Sequence, residues 1–372
     1  MEQKNVWETY SEKQLKELEK LNKEYREFLS DCKTERECVD YIVNAAEAAG
    51  YKELQEIIKE GGSLKKGDKV YSVWMNKSVA LFHIGEEKME KGMNILGAHI
   101  DSPRLDIKQN PLYEDGGFAY LDTHYYGGVK KYQWVTIPLA IHGVVVKKDG
   151  TTIELNIGEN EDDPVFFISD LLIHLAQEQL EKKAAKVIEG EALDIIIGNR
   201  PLTFKKDEKK EEGAGKDAVK KGILSILKDT YDMDEEDFIS AELEVVPAGK
   251  AREAGFDRSM ILSYGQDDRV CAYPSFEAIA AMEKPEITSV CLLVDKEEIG
   301  SVGASGMQSR FFENTVAEVM NAVGTYSELA LRRALKNSSV LSSDVSAAFD
   351  PNFPSVMTKR NAAYFGRGLV FN

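Results

Sequence analysis

His99 and Asp101 close a short apolar run in the stretch NILGAHIDSPRLDIKQ, residues 94–109. Asn94 to Ile100 is apolar enough for a strand buried on both faces. An imidazole and a carboxylate at the end of such a strand cost free energy unless something pairs with them. Two arrangements would satisfy them. One is a His–Asp hydrogen bond that closes the strand. The other is a metal ligand braced by its carboxylate, a common use of imidazole.

Three more apolar runs empty into polar residues in the same way. MILSYG leads to Asp267 and Asp268, TSVCLLV to Asp295, Glu297 and Glu298, and SSVLSS to Asp344. Each has an ordinary reading alone: a surface salt bridge for Asp-Asp-Arg, an exposed turn for Glu-Glu, a helix cap for Asp344. Together they read differently, because open α/β sheets place their sites at the carboxyl ends of strands. If the four strands share a sheet, five or more carboxylates and one imidazole converge on one crevice. So many anions do not stay ionised together in a dry site without cations, and a pair of divalent metals would neutralise them. In two-metal hydrolases adjacent glutamates can divide the work, one ligating and the other acting as base on the attacking water. The small residues Ser301 to Ala304 after the pair allow other backbones to come close.

The rest of the composition narrows the site. None of the five histidines forms an H-E-x-x-H pair, and none of the four cysteines forms a C-x-x-C pair. Zinc ribbons and disulfide frameworks are therefore excluded, and a reducing compartment is expected. Any metal site is rich in carboxylates and assembled from distant segments. Such sites accept zinc, cobalt or manganese.

The elements that must carry these residues follow from periodicity. Residues 8–29 and 34–49 read as helices, and 69–74, 78–84 and 94–100 as strands. Residues 118–146, with aromatic and β-branched residues and the pair Gly127–Gly128, read as consecutive strands and turns. A helix is expected from Ser169 to about Ile188, with Leu171, Leu172, Leu175 and Leu180 near one face. A strand follows at 194–199, then a charge run at 205–221 that reads as a solvated loop and helix start. Helices are expected around 276–282 and 310–323. The 372 residues, 43% hydrophobic, suffice for two domains. We divide them into a catalytic domain in two parts, 1–104 and 246–372, and a β-rich insertion at 105–245. The fold class expected is α/β, a central mixed sheet flanked by helices and interrupted by that insertion. A formal net charge of -17 argues against nucleic acid as a partner. No run reaches the ~18 apolar residues of a membrane span, and the polar start MEQKNVWETYSEK is no signal peptide. A cytoplasmic protein is expected.

The segments GAHIDSPRLDIK (97–108), YYGGVKKYQW (125–134), GQDDRVCAY (265–273), DKEEIGSVGASG (295–306) and SSDVSAAFDPNF (342–353) carry a resemblance. In order and over nearly the whole chain, they resemble the M18 metallo-aminopeptidases, the group of aspartyl aminopeptidase and the yeast vacuolar aminopeptidase I, and most of all the bacterial branch. The resemblance implies an inserted domain that drives dimerisation, and dimers that assemble into a tetrahedral dodecamer. It implies two divalent ions, zinc first, sharing a hydroxide. His99 would ligate one ion with Asp101 supporting it, and Asp267 would bridge both. Glu297 would be the general acid/base, and Glu298 and Asp344 would complete the two metal shells. His174 lies where family members lend a histidine to a neighbouring subunit. The substrates implied are peptides with a free N-terminus.

The chain also departs from the family pattern. No histidine follows Asp344, whereas the family supplies a second metal-binding histidine near its C-terminus. The expectation is a chain truncated at that end, with the second metal and activity in question. Ser346 and Asp350 stand where many eukaryotic members carry histidines, so acidic substrate preference does not follow. Two alternatives stay open: a two-metal exo-hydrolase of another substrate class, and a catalytically incomplete fragment or assembly subunit.

Overall fold

The computed structural model describes residues 4–201 and 217–371. Most of the charge run at 205–221 lies outside the described residues. The chain divides into two units. The first holds Met1–Asp101, Ala251–Glu297 and Ser301–Asn372, and the second holds Ser102–Lys250 and Glu298–Gly300.

The first unit is built on a six-stranded mixed sheet in the order 52–53, 69–74, 78–83, 289–294, 94–99, 339–342. Strand Ser289–Val294 runs antiparallel to Ser78–His83 but parallel to Asn94–His99, which is in turn parallel to Ser339–Ser342. Alternate residues face opposite sides of the sheet. Val79, Leu81, Cys291 and Leu293 enter one core, with Phe28, Ile42 and Phe276 from helices Glu12–Asp31, Glu35–Ala48 and Gln266–Ala280. Ala80, Phe82, Val290 and Leu292 enter the other, with Val316 and Leu331 from helices Phe311–Val323 and Glu328–Asn337. Both faces are apolar, which is why the central strands read as unbroken hydrophobic runs.

Local chemistry sets the helix starts. Ser11 and Gln14 form a capping box, as do Thr34 and Glu37. In each, a hydroxyl accepts the third N–H of the helix while that residue's side chain accepts the cap's N–H. The first helix therefore begins at Glu12 and not at residue 8, where Val6–Glu8 forms a separate 3-10 turn.

The second unit is an antiparallel six-stranded sheet in the order 152–157, 139–146, 241–247, 104–115, 118–126, 195–198. The Gly116–Gly117 pair, with φ +56° and +83°, closes the hairpin between Asp115 and Phe118. Such primed turns match the twist of the strands and favour glycine, asparagine or aspartate, which tolerate positive φ. Helix Ala218–Tyr231 packs Ile223, Leu224 and Leu227 against this unit's core.

The helix expected over 169–188 does not form. The segment breaks into the turns Ile173–Leu175, Gln177–Leu180 and Ala184–Val187. Leu171, Leu172, Leu175 and Leu180 are all exposed. Helices of this length depend on burying an apolar face, and here that face meets no core.

Candidate metal centre

Three of the four expected strand ends meet at one edge of the first unit's sheet. Asn94–His99, Ser289–Val294 and Ser339–Ser342 are parallel neighbours. Their carboxyl ends deliver His99, the turn with Glu297, and Asp344. The fourth run does not join them. Met260–Leu262 pairs only with Arg252–Ala254 in a two-stranded ribbon, and Asp267 arrives from the start of helix Gln266–Ala280. Asp267 and Asp268 are non-helical there, with φ/ψ of -84°/107° and -115°/29°, and the peptide between them is cis.

His99 is buried at the centre. Its Nδ1 lies 3.0 Å from the Asp101 backbone carbonyl and 3.3 Å from the Asp101 carboxylate. Its Nε2 faces Asp267 at 3.2 Å and Glu297 at 3.7 Å. Carbonyls and carboxylates only accept, so the Nδ1 contacts suit the tautomer with its proton on Nδ1, which turns the Nε2 lone pair toward the site. Burial lowers the His99 pKa, but Asp101, Asp268 and Glu297 outweigh it and bring it up to about 9. Carboxylates thus gather around Nε2. One ligand atom each from His99, Asp267 and Asp344 lies within 4.8 Å of the other two.

Asp101 is fully buried, and its carboxylate accepts the backbone N–H of Glu297 at 3.2 Å. Glu297 and Asp267 have side chains 47% and 51% exposed, so solvent and a substrate reach them. Asp268 differs. It is fully buried and neither carboxylate oxygen finds a hydrogen-bond partner. Burial pushes its carboxyl up to about 7, against the pull of the Cys271 thiol and His99. A buried carboxylate without a donor marks a place that wants a cation. One imidazole, several convergent carboxylates and this orphan suit a divalent metal of the zinc class.

Asp295 faces elsewhere. It is fully buried, accepts the Ser305 hydroxyl at 2.5 Å, and donates its own N–H to Ser78 Oγ at 3.2 Å. It anchors the Lys296–Ser305 loop, so it is not among the carboxylates that meet at His99. Glu298 and His174 belong to the second unit. Gly127 there has φ +73°, and a Cβ on it would stand 3.1 Å from Glu298 Cβ and 3.2 Å from Glu298 Oε2. The glycine of YYGG thus leaves room for the Glu298 side chain. His174 sits exposed on the Ile173–Leu175 turn. The burial of Asp268 and Asp295 escaped sequence reading, because both share the strand-end pattern of the exposed carboxylates.

Comparison with known proteins identifies the family. Residues 28–372 match the family model for aminopeptidase I zinc metalloprotease (M18). The chain is 60% identical over 371 residues to the probable M18 family aminopeptidase 1 of Clostridium acetobutylicum, covering all of this chain and 78% of that protein. It is similar in fold to the crystal structure of the M18 aminopeptidase from Thermotoga maritima, with a TM-score of 0.90, 43% identity, and coverage of 99% of this chain and 78% of that one. The structure of aminopeptidase I from Clostridium acetobutylicum gives a TM-score of 0.88 at 56% identity, with the same coverage. The chain belongs to the M18 family of zinc metallo-aminopeptidases, hydrolases of the peptide bond. Among the described residues no helix is long and apolar enough to cross a membrane.

Proposed function

We propose that this chain removes N-terminal residues from peptides with a dinuclear metal centre and Glu297 as general acid/base. One observation carries the reading: buried His99 Nε2 faces Asp267 and Glu297 within 3.7 Å, with Asp344 converging on the same point. His99, Asp267, Asp344 and Glu298 would hold two divalent ions; zinc is the first choice, and cobalt or manganese suit the same donors. Bound divalent metals of this class lower the pKa of water and polarise a carbonyl oxygen.

The chain's own residues do the rest. Asp101 holds His99 through Nδ1, which leaves Nε2 to face the site. Glu297, half-exposed beside Nε2, takes a proton from the attacking water and passes it to the leaving amine. Exposed carboxylates around the site hold the substrate's α-ammonium group, which limits cleavage to the first peptide bond. Assembly as a dimer, and of dimers into a dodecamer, is part of the same reading. It is supported by the apolar segment with exposed Leu171, Leu172 and Leu175 around His174.

The test compares one peptide with a free and with an acetylated N-terminus, using zinc-loaded chain and elemental analysis. Stepwise release from the free peptide only, with two ions per chain, is expected. Equal cleavage of the acetylated peptide would replace this reading with an exo-hydrolase of another substrate class. One ion or none, with no turnover, would leave the chain an incomplete catalyst.

A further inference from the structure

The segment Gly265-Gln266-Asp267-Asp268-Arg269 holds more than its carboxylates. Arg269 is 1% exposed, and its guanidinium folds back along its own chain instead of reaching solvent. Nη1 donates to the Gly265 carbonyl at 3.3 Å. Nη2 donates to the Ile100 carbonyl at 3.2 Å and to the Lys33 carbonyl at 2.9 Å. Nε donates to the Cys38 sulfur at 3.1 Å. Ile100 lies between His99 and Asp101, and Gly265 lies two residues before Asp267. One rigid planar group therefore ties together the two loops that carry His99 and Asp267.

Gly265 is shaped to this contact. Its φ is +76°, and a Cβ built on it would stand 1.6 Å from Arg269 Nη1. Asp267 and Asp268 are outside helical geometry, so regular helical hydrogen bonding does not define their turn. The side chain of Arg269 spans it instead.

We propose that Arg269 is a positioning residue of the metal centre, holding the Gly265–Asp268 turn against the Ile100 carbonyl and so setting the separation of His99 Nε2 and Asp267. The inference rests on the reading of His99 and Asp267 as metal ligands. A lysine cannot replace this arginine, because a single ammonium lacks the planar fork that reaches several carbonyls at once. The glycine and the arginine act as a pair: only with no Cβ at 265 does the guanidinium reach its place.

Cobalt(II) titration of the full chain tests this, reading the dissociation constant and the visible absorption of the bound ion. The variants are Arg269→Lys, Arg269→Met, Gly265→Ala, the double variant Gly265→Ala/Arg269→Met, and His99→Ala. Circular dichroism shows which are folded. Arg269→Lys and Gly265→Ala are each expected to weaken cobalt binding by about tenfold or more, with an altered spectrum. Adding Gly265→Ala to Arg269→Met is expected to weaken binding less than adding it to the wild type, since the collision at residue 265 needs the guanidinium while the left-handed backbone strain at φ +76° remains in both. Should Arg269→Met not fold, Arg269→Lys and Gly265→Ala decide. A purely structural role would lower the melting temperature and leave the folded protein's dissociation constant and spectrum unchanged; that result overturns the proposal. Wild-type binding by His99→Ala would instead overturn the ligand reading on which it rests.

Discussion

The carboxylate of Asp101 accepts the backbone N–H of Glu297 at 3.2 Å, across 196 positions of sequence. The same carboxylate lies 3.3 Å from His99 Nδ1. One buried side chain thus orients the imidazole and pins the start of the turn that presents the proposed acid/base. Charge on Asp101 would strengthen His99 in its proposed role as a ligand, and its hydrogen bond locates the Glu297 backbone.

Asp101→Asn keeps an oxygen for the Glu297 N–H and removes the charge. Metal affinity is expected to fall by about 10- to 100-fold, measured by zinc competition with a chromophoric chelator. Asp101→Ala removes both contacts, and its turnover at saturating metal is expected to fall below that of Asp101→Asn. Equal turnover in the two variants would mean that the hydrogen bond to Glu297 has no part in catalysis.

Glu297→Gln keeps size and polarity and abolishes proton transfer. A loss of roughly 10²- to 10⁴-fold in kcat is expected, with metal stoichiometry unchanged by elemental analysis. Retained turnover would remove Glu297 from the acid/base role.

Gly127→Ala places a Cβ 3.1 Å from Glu298 Cβ at a φ of +73°. The left-handed backbone alone costs ~1–2 kcal/mol. A lower melting temperature and reduced metal retention after dialysis are expected, because the Glu298 side chain must give way. If stability falls while metal retention stays at the wild-type level, Gly127 serves the turn and not Glu298.

His83 supplies a pH dependence of stability away from the metal centre. It ends the Ser78–His83 strand, buried, with Nδ1 lacking a hydrogen-bond partner. Burial, with Lys69 nearby, holds its pKa below the ordinary 6.5, against the opposing contact with the Gly67 backbone. The folded state thus favours the neutral ring, while the unfolded chain takes up a proton below 6.5. Stability is expected to fall as the pH drops from 7 through 6, before most carboxylates titrate. Thermal melts of the metal-free chain at pH 7.5 and 5.5 should show a smaller drop for His83→Gln. An equal drop in both would assign the acid sensitivity elsewhere.

Much of this protein was legible before folding was considered. Unbroken apolar runs located Ser78–His83, Asn94–His99 and Ser289–Val294, and the helix Phe311–Val323 was legible to within a residue or two. These features depend on backbone geometry and near neighbours, which a linear string records. The rule that sites gather at carboxyl ends of parallel strands placed His99, Glu297 and Asp344 together. Asp267 comes within 3.2 Å of His99 by another route, since its preceding strand lies outside the main sheet.

Other features waited on tertiary structure. The leucines at 171, 172, 175 and 180 have helical spacing, yet no core receives them, and spacing alone carries no record of a partner surface. Asp268 and Asp295 share a sequence signature with Asp267 and Glu297, but only the fold buries the first two and leaves the others half-exposed. The reach of Arg269 to Ile100 spans 169 positions, and the contact of His99 with Asp267 spans 168. Sequence determined which residues bear the chemistry, because residue type sets charge and donor atoms. Tertiary structure decided which of them meet, because sheet register and the path of the connecting loops set distances that no local pattern encodes.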